Sequence, residues 1–89
     1  MPYSIDFAPS AAKELAKLPK TEQRRLAKKI DALAKDPRPQ GVEKLAGGPS
    51  LRVRVGDYRI VYEVKDRVLV ILVLAIGHRR EIYKRLKKT

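Results

Sequence analysis

The sequence predicts an α+β fold. A helical hairpin packs on one face of an antiparallel sheet of about four strands, and a short basic C-terminal helix follows, in the order β-α-α-β-β-β-α. Three observations predict this. Tyr3, Ile5 and Phe7 alternate with Ser4 and Asp6, as on a strand with one apolar face. Apolar residues then recur at helical spacing between proline stops, first from Ala11 to Leu18 and again from Leu26 to Ala34. Leu51 to Tyr62, LRVRVGDYRIVY, reads as two short strands joined by Gly56-Asp57.

Each element follows in turn. Pro9-Ser10 ends the first strand, and Ser10 can cap the helix after it. Pro19 stops that helix near Leu18. Thr21 is the expected cap of a second helix, whose apolar stripe is Leu26, Ile30, Leu33 and Ala34 and which runs out near Lys35. Arg24, Arg25, Lys28 and Lys29 lie mainly off that stripe, as on a solvated helix face. Pro37 to Ser50 reads as a loop broken by Gly41, Gly47, Gly48 and Pro49, with Leu45 as its anchor into the core.

The hairpin carries the most information. A two-residue loop with Gly first fits a type II′ turn. That turn sets Val55 opposite Tyr58, Arg54 opposite Arg59, Val53 opposite Ile60 and Arg52 opposite Val61. Side chains alternate across a sheet. One face therefore carries Leu51, Val53, Val55, Tyr58, Ile60 and Tyr62, a core. The other carries Arg52, Arg54, Arg59 and Val61. Like charges directly opposite each other weaken a sheet by up to ~1 kcal/mol. Two readings fit the pattern, a solvated basic face and a site for a polyanion.

A turn at Lys65-Asp66 or Asp66-Arg67 leads into a strand from Val68 to Ile76. With the first of these turns, Leu69, Ile71 and Val73 face the core, and Val70, Leu72 and Leu74 face the arginine side. A strand apolar on both faces is covered on both. The helical hairpin covers one side; the C-terminal segment or a partner covers the other. Gly77 ends the strand, and His78 to Lys88 reads as a short basic helix with Ile82 and Leu86 as apolar contacts.

The chain of 89 residues is expected to form one domain, residues 1–89, without linker or repeat. It carries 21 Lys and Arg against 10 acids, a net charge of +11. That balance points to an acidic partner such as a nucleic acid, without separating RNA from DNA, an acidic protein or a membrane surface. The absence of cysteine excludes a disulfide frame and a thiolate metal site. No basic segment precedes an apolar one at the N-terminus, and the run from Val68 to Ile76 is too short to span a bilayer. A cytoplasmic protein without membrane contact is the expectation.

The usual catalytic sets are missing. Gly47-Gly48 lacks the spacing and the Lys-Ser/Thr ending of a phosphate-cradling loop. One His and no Cys argue against a transition-metal site, and no metal or other cofactor is expected. What recurs instead is a set of fixed donors: Arg52, Arg54, Arg59 and Arg79, with His78 and Tyr83 nearby. Guanidinium forks match phosphate oxygens and stay charged. They suit RNA binding and stabilisation of a phosphorane during backbone cleavage, in which the adjacent 2′-OH can be the nucleophile. Tyr83 can stack on a base or pack the helix on the sheet. His78 is the natural general acid or base, or a turn histidine.

These blocks resemble a known family. KLAGGPSLRVRVGDYRIVYEV, from Lys44 to Val64, and GHRREIYKRL, from Gly77 to Leu86, are similar to segments of the RelE/ParE superfamily of toxins from type II toxin–antitoxin pairs, closest to the RelE branch. The resemblance implies a metal-independent, ribosome-dependent endoribonuclease that cuts mRNA in the A site and leaves a 2′,3′-cyclic phosphate and a 5′-OH. It also implies a cognate antitoxin that blocks the site and usually supplies DNA binding, so no specific DNA binding is expected of the toxin alone. By position, Arg54, Arg59, Arg79, Tyr83 and His78 fall on the catalytic set, and Arg52, Arg54, Arg80 and Lys84 on RNA contacts. Studied RelE enzymes carry lysines where Arg52 and Arg54 stand. An arginine does not give up its proton, so the general base moves to His78 in this reading. The alternative is a ParE-type toxin that inhibits DNA gyrase by binding it.

Overall fold

A computed structural model describes residues 2–78. Its elements are β1 (Ser4–Phe7), α1 (Pro9–Lys17), α2 (Lys20–Lys35), β2 (Glu43–Lys44), β3 (Leu51–Val55), β4 (Tyr58–Lys65) and β5 (Val70–His78). The expected C-terminal helix, with Arg79, Arg80, Tyr83 and Lys84, lies outside the described residues.

The strands form one sheet in the order β1-β5-β4-β3-β2. Two features depart from the expected four-stranded antiparallel sheet. β1 runs parallel to β5, so the sheet is mixed. A fifth strand, β2, forms inside the segment read as a loop and pairs with β3 at its edge. At two residues it is too short to leave a periodic signature. The element that anchors this segment to the core is Val42 rather than Leu45.

The helices pack on one face, as expected. Leu26, Ile30 and Leu33 of α2 and Ala11 of α1 are buried against Val53, Ile60, Tyr62, Ile71, Val73 and Ile76. The helix starts differ from expectation. Ala8 is the residue before α1 and Pro19 the residue before α2, and neither start has a side-chain cap. Ser10 and Thr21 lie inside the helices. Pro9 takes the first helical position, where a missing N–H breaks no intrahelical bond and the fixed φ suits the helix. The corner between the helices is stitched by Gln23, whose Nε2 donates to the carbonyls of Leu18 at 2.8 Å and Ala16 at 3.2 Å.

β1 is an edge strand, and its alternation is only half used. Tyr3 and Ile5 pack on the core, but Phe7 is 38 % exposed. The β4–β5 turn occupies residues 66–69, longer than expected, and Leu69 sits in it at φ 55 with 39 % exposure rather than in the core. Farther along β5 the register slips. Val61 pairs with Ala75 and Tyr62 with Val73, leaving Leu74 as an extra residue. A bulge of this kind reverses the alternation. Ile71, Val73 and Ile76 therefore all reach the same core, each fully buried.

A polar cluster ties three ends together. The Tyr3 hydroxyl donates to Asp66 Oδ1 at 2.7 Å, and Arg38 donates to the same carboxylate from Nη2 at 2.9 Å and Nη1 at 3.3 Å. Beside it, the buried Tyr62 hydroxyl donates to the Pro37 carbonyl at 2.6 Å. Burial pushes the Tyr62 phenol up to about 12.

Two outcomes follow. Tyr62→Phe leaves the Pro37 carbonyl without this donor and should cost about 1–2 kcal/mol of unfolding free energy in urea titration. The hydrogen bond from Arg38, then that from Tyr3, holds the Asp66 carboxyl below its ordinary value of 3.8. Its ionised form is favoured in the fold, so its contribution is complete above the ordinary value and is lost as pH falls through the lowered one. Denaturant titrations at a series of pH values should show Asp66→Asn with a smaller loss of stability below about pH 4 than the wild type.

Candidate nucleic-acid interface

The β3–β4 hairpin forms with the register expected of a glycine-led turn. Val55 pairs with Tyr58, Arg54 with Arg59, Val53 with Ile60, Arg52 with Val61 and Leu51 with Tyr62. Gly56 has φ +60, which L side chains adopt only with strain, and Asp57 does not share that sign. This is the pattern of a type II′ turn. The Arg25 guanidinium of α2 lies over the turn, where a β-carbon on Gly56 would meet it at 2.9 Å. Arg25 also pairs with Glu22 at 3.5 Å. That helix face is therefore partly tied to the hairpin.

Alternation from the turn puts Arg52, Arg54 and Arg59 on the sheet face away from the helices. Their surroundings differ. Arg54 is exposed. Arg59 is only 5 % exposed, and its Nε has no hydrogen-bond acceptor among the described residues. Its neighbour on β5 is Gly77, which brings no side chain to that side. Arg52 Nη2 donates to Glu43 Oε2 at 2.7 Å across the β2–β3 pair.

Glu43 is the residue that sequence reasoning missed at this face, because its strand was read as a loop. The one available signal was Val42 preceding it, an apolar residue that turns inward and sends its neighbour outward. The hydrogen bond from Arg52 and that cation's charge hold the Glu43 carboxyl below the ordinary glutamate range, with smaller help from Arg59 and Arg54. The carboxylate thus lies within the field of all three arginines.

His78 does not join them. The expectation that Gly77 ends the strand is corrected: β5 continues to His78, which pairs with Tyr58. Ile76 faces the core, so Gly77 faces the arginine side and His78 turns back to the helix side. There its ring meets Tyr58 edge-on, with centroids 6.0 Å apart. The two rings border a groove with Glu14, Lys17 and Leu18 of the α1 end. Its imidazole and the three guanidinium groups point to opposite sides of the sheet. Arg79, Arg80, Tyr83 and Lys84, the rest of the expected set, lie outside the described residues.

A mixed sheet with helices on one face and an arginine row on the other defines a small basic α+β domain equipped for an anionic ligand. Its lineage is more specific. Residues 5–83 match the family described as the ParE toxin of type II toxin-antitoxin system, parDE, and the chain belongs to the RelE/ParE toxins, near the RelE branch. It is 36 % identical over 88 residues to the mRNA interferase toxin RelE of Escherichia coli, covering 93 % of this chain and 92 % of that protein. Toxin RelG of Mycobacterium tuberculosis is 33 % identical over 92 residues, covering 96 % and 100 %. Among solved structures, the isolated E. coli RelE toxin superposes with a TM-score of 0.78 at 30 % identity, covering 97 % of this chain and 96 % of that one. The RelE of an archaeal RelE–RelB complex from Pyrococcus horikoshii gives 0.78 at 34 % identity, covering 89 % and 97 %.

The opposed arginines make a stability measurement informative. Arg54→Thr removes a like-charge cross-strand pair and introduces a good strand former. It should raise unfolding free energy by roughly 0.5–1 kcal/mol at low salt. The gain should shrink as added salt screens the exposed guanidinium.

Proposed function

We propose that this chain is a ribosome-dependent endoribonuclease of a type II toxin–antitoxin pair. It cuts mRNA in the A site by attack of a 2′-OH on the adjacent phosphate. The observation that carries this reading is Arg59: a guanidinium almost fully buried, directly opposite Arg54 and on the same face as Arg52. Such a cation is held in place before substrate arrives. It is worth most when charge grows on the phosphorane oxygens, because a partly desolvated donor acts in a lower dielectric than water. Arg54 adds a second fork at the solvent side, and Arg52 a third toward the β2 edge. The E. coli relative at 36 % identity is named an mRNA interferase, which supports the same chemistry here. Arg79 completes the donor set, Tyr83 stacks on a base of the codon, and Arg80 and Lys84 hold flanking phosphates. The whole chain acts as one domain in the cytoplasm.

A cognate antitoxin is the second partner. The P. horikoshii RelE was solved in complex with RelB, and an intact E. coli RelBE complex is also among the similar structures. The antitoxin brings acidic side chains to the arginine face, because desolvating several unpaired cations is costly.

A second reading has its own support, since the matching family is described as the ParE toxin. In that reading the chain binds DNA gyrase and cuts nothing. A translation extract separates the two. Purified protein should yield mRNA cut at codon positions, detected by primer extension. Arg59→Ala and Arg79→Ala should each slow cleavage by roughly 10²-fold, the range for loss of one transition-state charge donor. Intact mRNA together with gyrase–DNA cleavage complexes would reverse the choice.

A further inference from the structure

Arg25 of α2 has no part in the endoribonuclease chemistry on which this inference rests, yet it stands at the end of the arginine hairpin. Its Nη2 lies where a β-carbon on Gly56 would meet it at 2.9 Å. A guanidinium can settle there because glycine brings no side chain. The group is also available: 53 % of its side chain is exposed. Its ion pair with Glu22 spans 3.5 Å, whereas a charge-assisted hydrogen bond closes to about 2.7–2.9 Å. A carboxylate held so loosely yields to a better acceptor.

Charge makes this placement informative. Arg54 and Arg59 already oppose each other, each two residues from the turn. A third guanidinium at the same tip raises the positive potential there. Lys28 and Lys29, three and four residues on, lie beside Arg25 on the helix surface and extend that potential along it. Glu22 and Asp57 offset only part of it. The sheet ends at the turn. From Arg54, two strand residues span about 7 Å to Gly56, and Arg25 lies immediately beyond.

We propose that Arg25 holds the mRNA phosphate next to the one gripped by Arg54 and Arg59, with Gly56 as a bare saddle over which the RNA backbone passes. The occupant is the strand being cut, because this basic track is continuous with the arginine face at the turn. The contact acts on binding alone. A phosphate one step from the reaction carries the same charge before and during cleavage, so Arg25 holds ground state and transition state equally. A planar fork suits the task, since it can take two oxygens of one phosphate.

The test is single-turnover cleavage on mRNA-programmed ribosomes, over a range of toxin and salt concentrations, with thermal unfolding measured beside it. Arg25→Gln and Arg25→Ala should raise the half-saturating toxin concentration by roughly tenfold, as for loss of one charged hydrogen-bonding partner. Their saturating rate should equal that of the wild type. The slope of log affinity on log salt should fall by ~0.7, the value for one phosphate of a single strand. Arg25→Lys should keep most of the affinity. Lys35→Gln removes the same charge about 15 Å along α2 and should change nothing. Neutral methylphosphonates placed singly in the mRNA identify the partner. One of them, beside the cleaved bond, should weaken the wild type as much as Arg25→Ala does and cost Arg25→Ala nothing more. This scan tests the wild type even if a variant fails to fold: a wild type indifferent to both flanking substitutions overturns the proposal. Losses that simply add at every position would move the contact to ribosomal RNA and overturn it too. So would a lowered saturating rate with an unchanged salt slope, the mark of a brace on the turn. A variant equal to the wild type throughout refutes Arg25 and leaves the nuclease reading standing. A wild type that cuts nothing removes that reading, and this assignment with it.

Discussion

The turn at Gly56-Asp57 is the constraint on which the remaining geometry depends. Gly56 at φ +60 closes β3 on β4 in two residues, and this sets every cross-strand pair of the hairpin. A slip by one residue would exchange the two faces, placing Arg52, Arg54 and Arg59 against the helices and Val53 and Ile60 in water. The buried helix stripe makes that exchange prohibitive, because no acid of the core cluster could pair those cations. Core packing and turn geometry therefore select the same register. The arginine row is a consequence of both, and its mutual repulsion is tolerated because the hydrophobic side of the same strands is so well satisfied.

β5 carries the second register decision. Its run of apolar residues is read twice, with opposite parity on either side of Leu74. Before the bulge, Ile71 and Val73 fill the core under the helices; after it, Ile76 does. The parity change also decides what stands beside Arg59. It places Gly77 there and sends His78 across the sheet to Tyr58. Without the extra residue, Gly77 would fall on the helix side and the imidazole on the arginine side. A one-residue irregularity in the middle of a strand thus determines which ionisable group shares the face of the arginines.

This explains what was legible in the sequence and what was not. The hairpin was legible because a turn signal and a two-residue alternation constrain each other over a dozen positions. The stripe of α2 was legible for a similar reason, since Leu26, Ile30 and Leu33 repeat over two turns. Helix starts were not, because Ser10 and Thr21 are good caps by chemistry while Pro9 and Pro19 fix the backbone by geometry, and geometry prevailed. β5 misled through its uniformity: when every residue is apolar, alternation carries no parity, and neither the bulge nor the side taken by His78 can be read. Glu43 was hidden because a two-residue edge strand has no period. Its place is created by pairing with Arg52, a tertiary event. The same holds for Arg59, whose burial distinguishes it from two arginines that are its equals in the sequence.

Burial gives the arginine row an order. Arg54 keeps its hydration and can release it to any anion at modest cost. Arg59 has already lost most of its water, and its Nε meets no acceptor among the described residues. The cost of desolvating that cation was met during folding, so an anion arriving there gains interaction without a second large penalty. Surrounding the site with acids would have relieved the strain and also removed this advantage. Among the described residues Glu43 stands beside Arg52 at the edge, where it tempers the local repulsion, while Arg54 stays exposed next to the buried Arg59. A macromolecule that seals this face must therefore present anionic acceptors at Arg54 and Arg59 together. Phosphate oxygens and carboxylates meet that demand by the same physics.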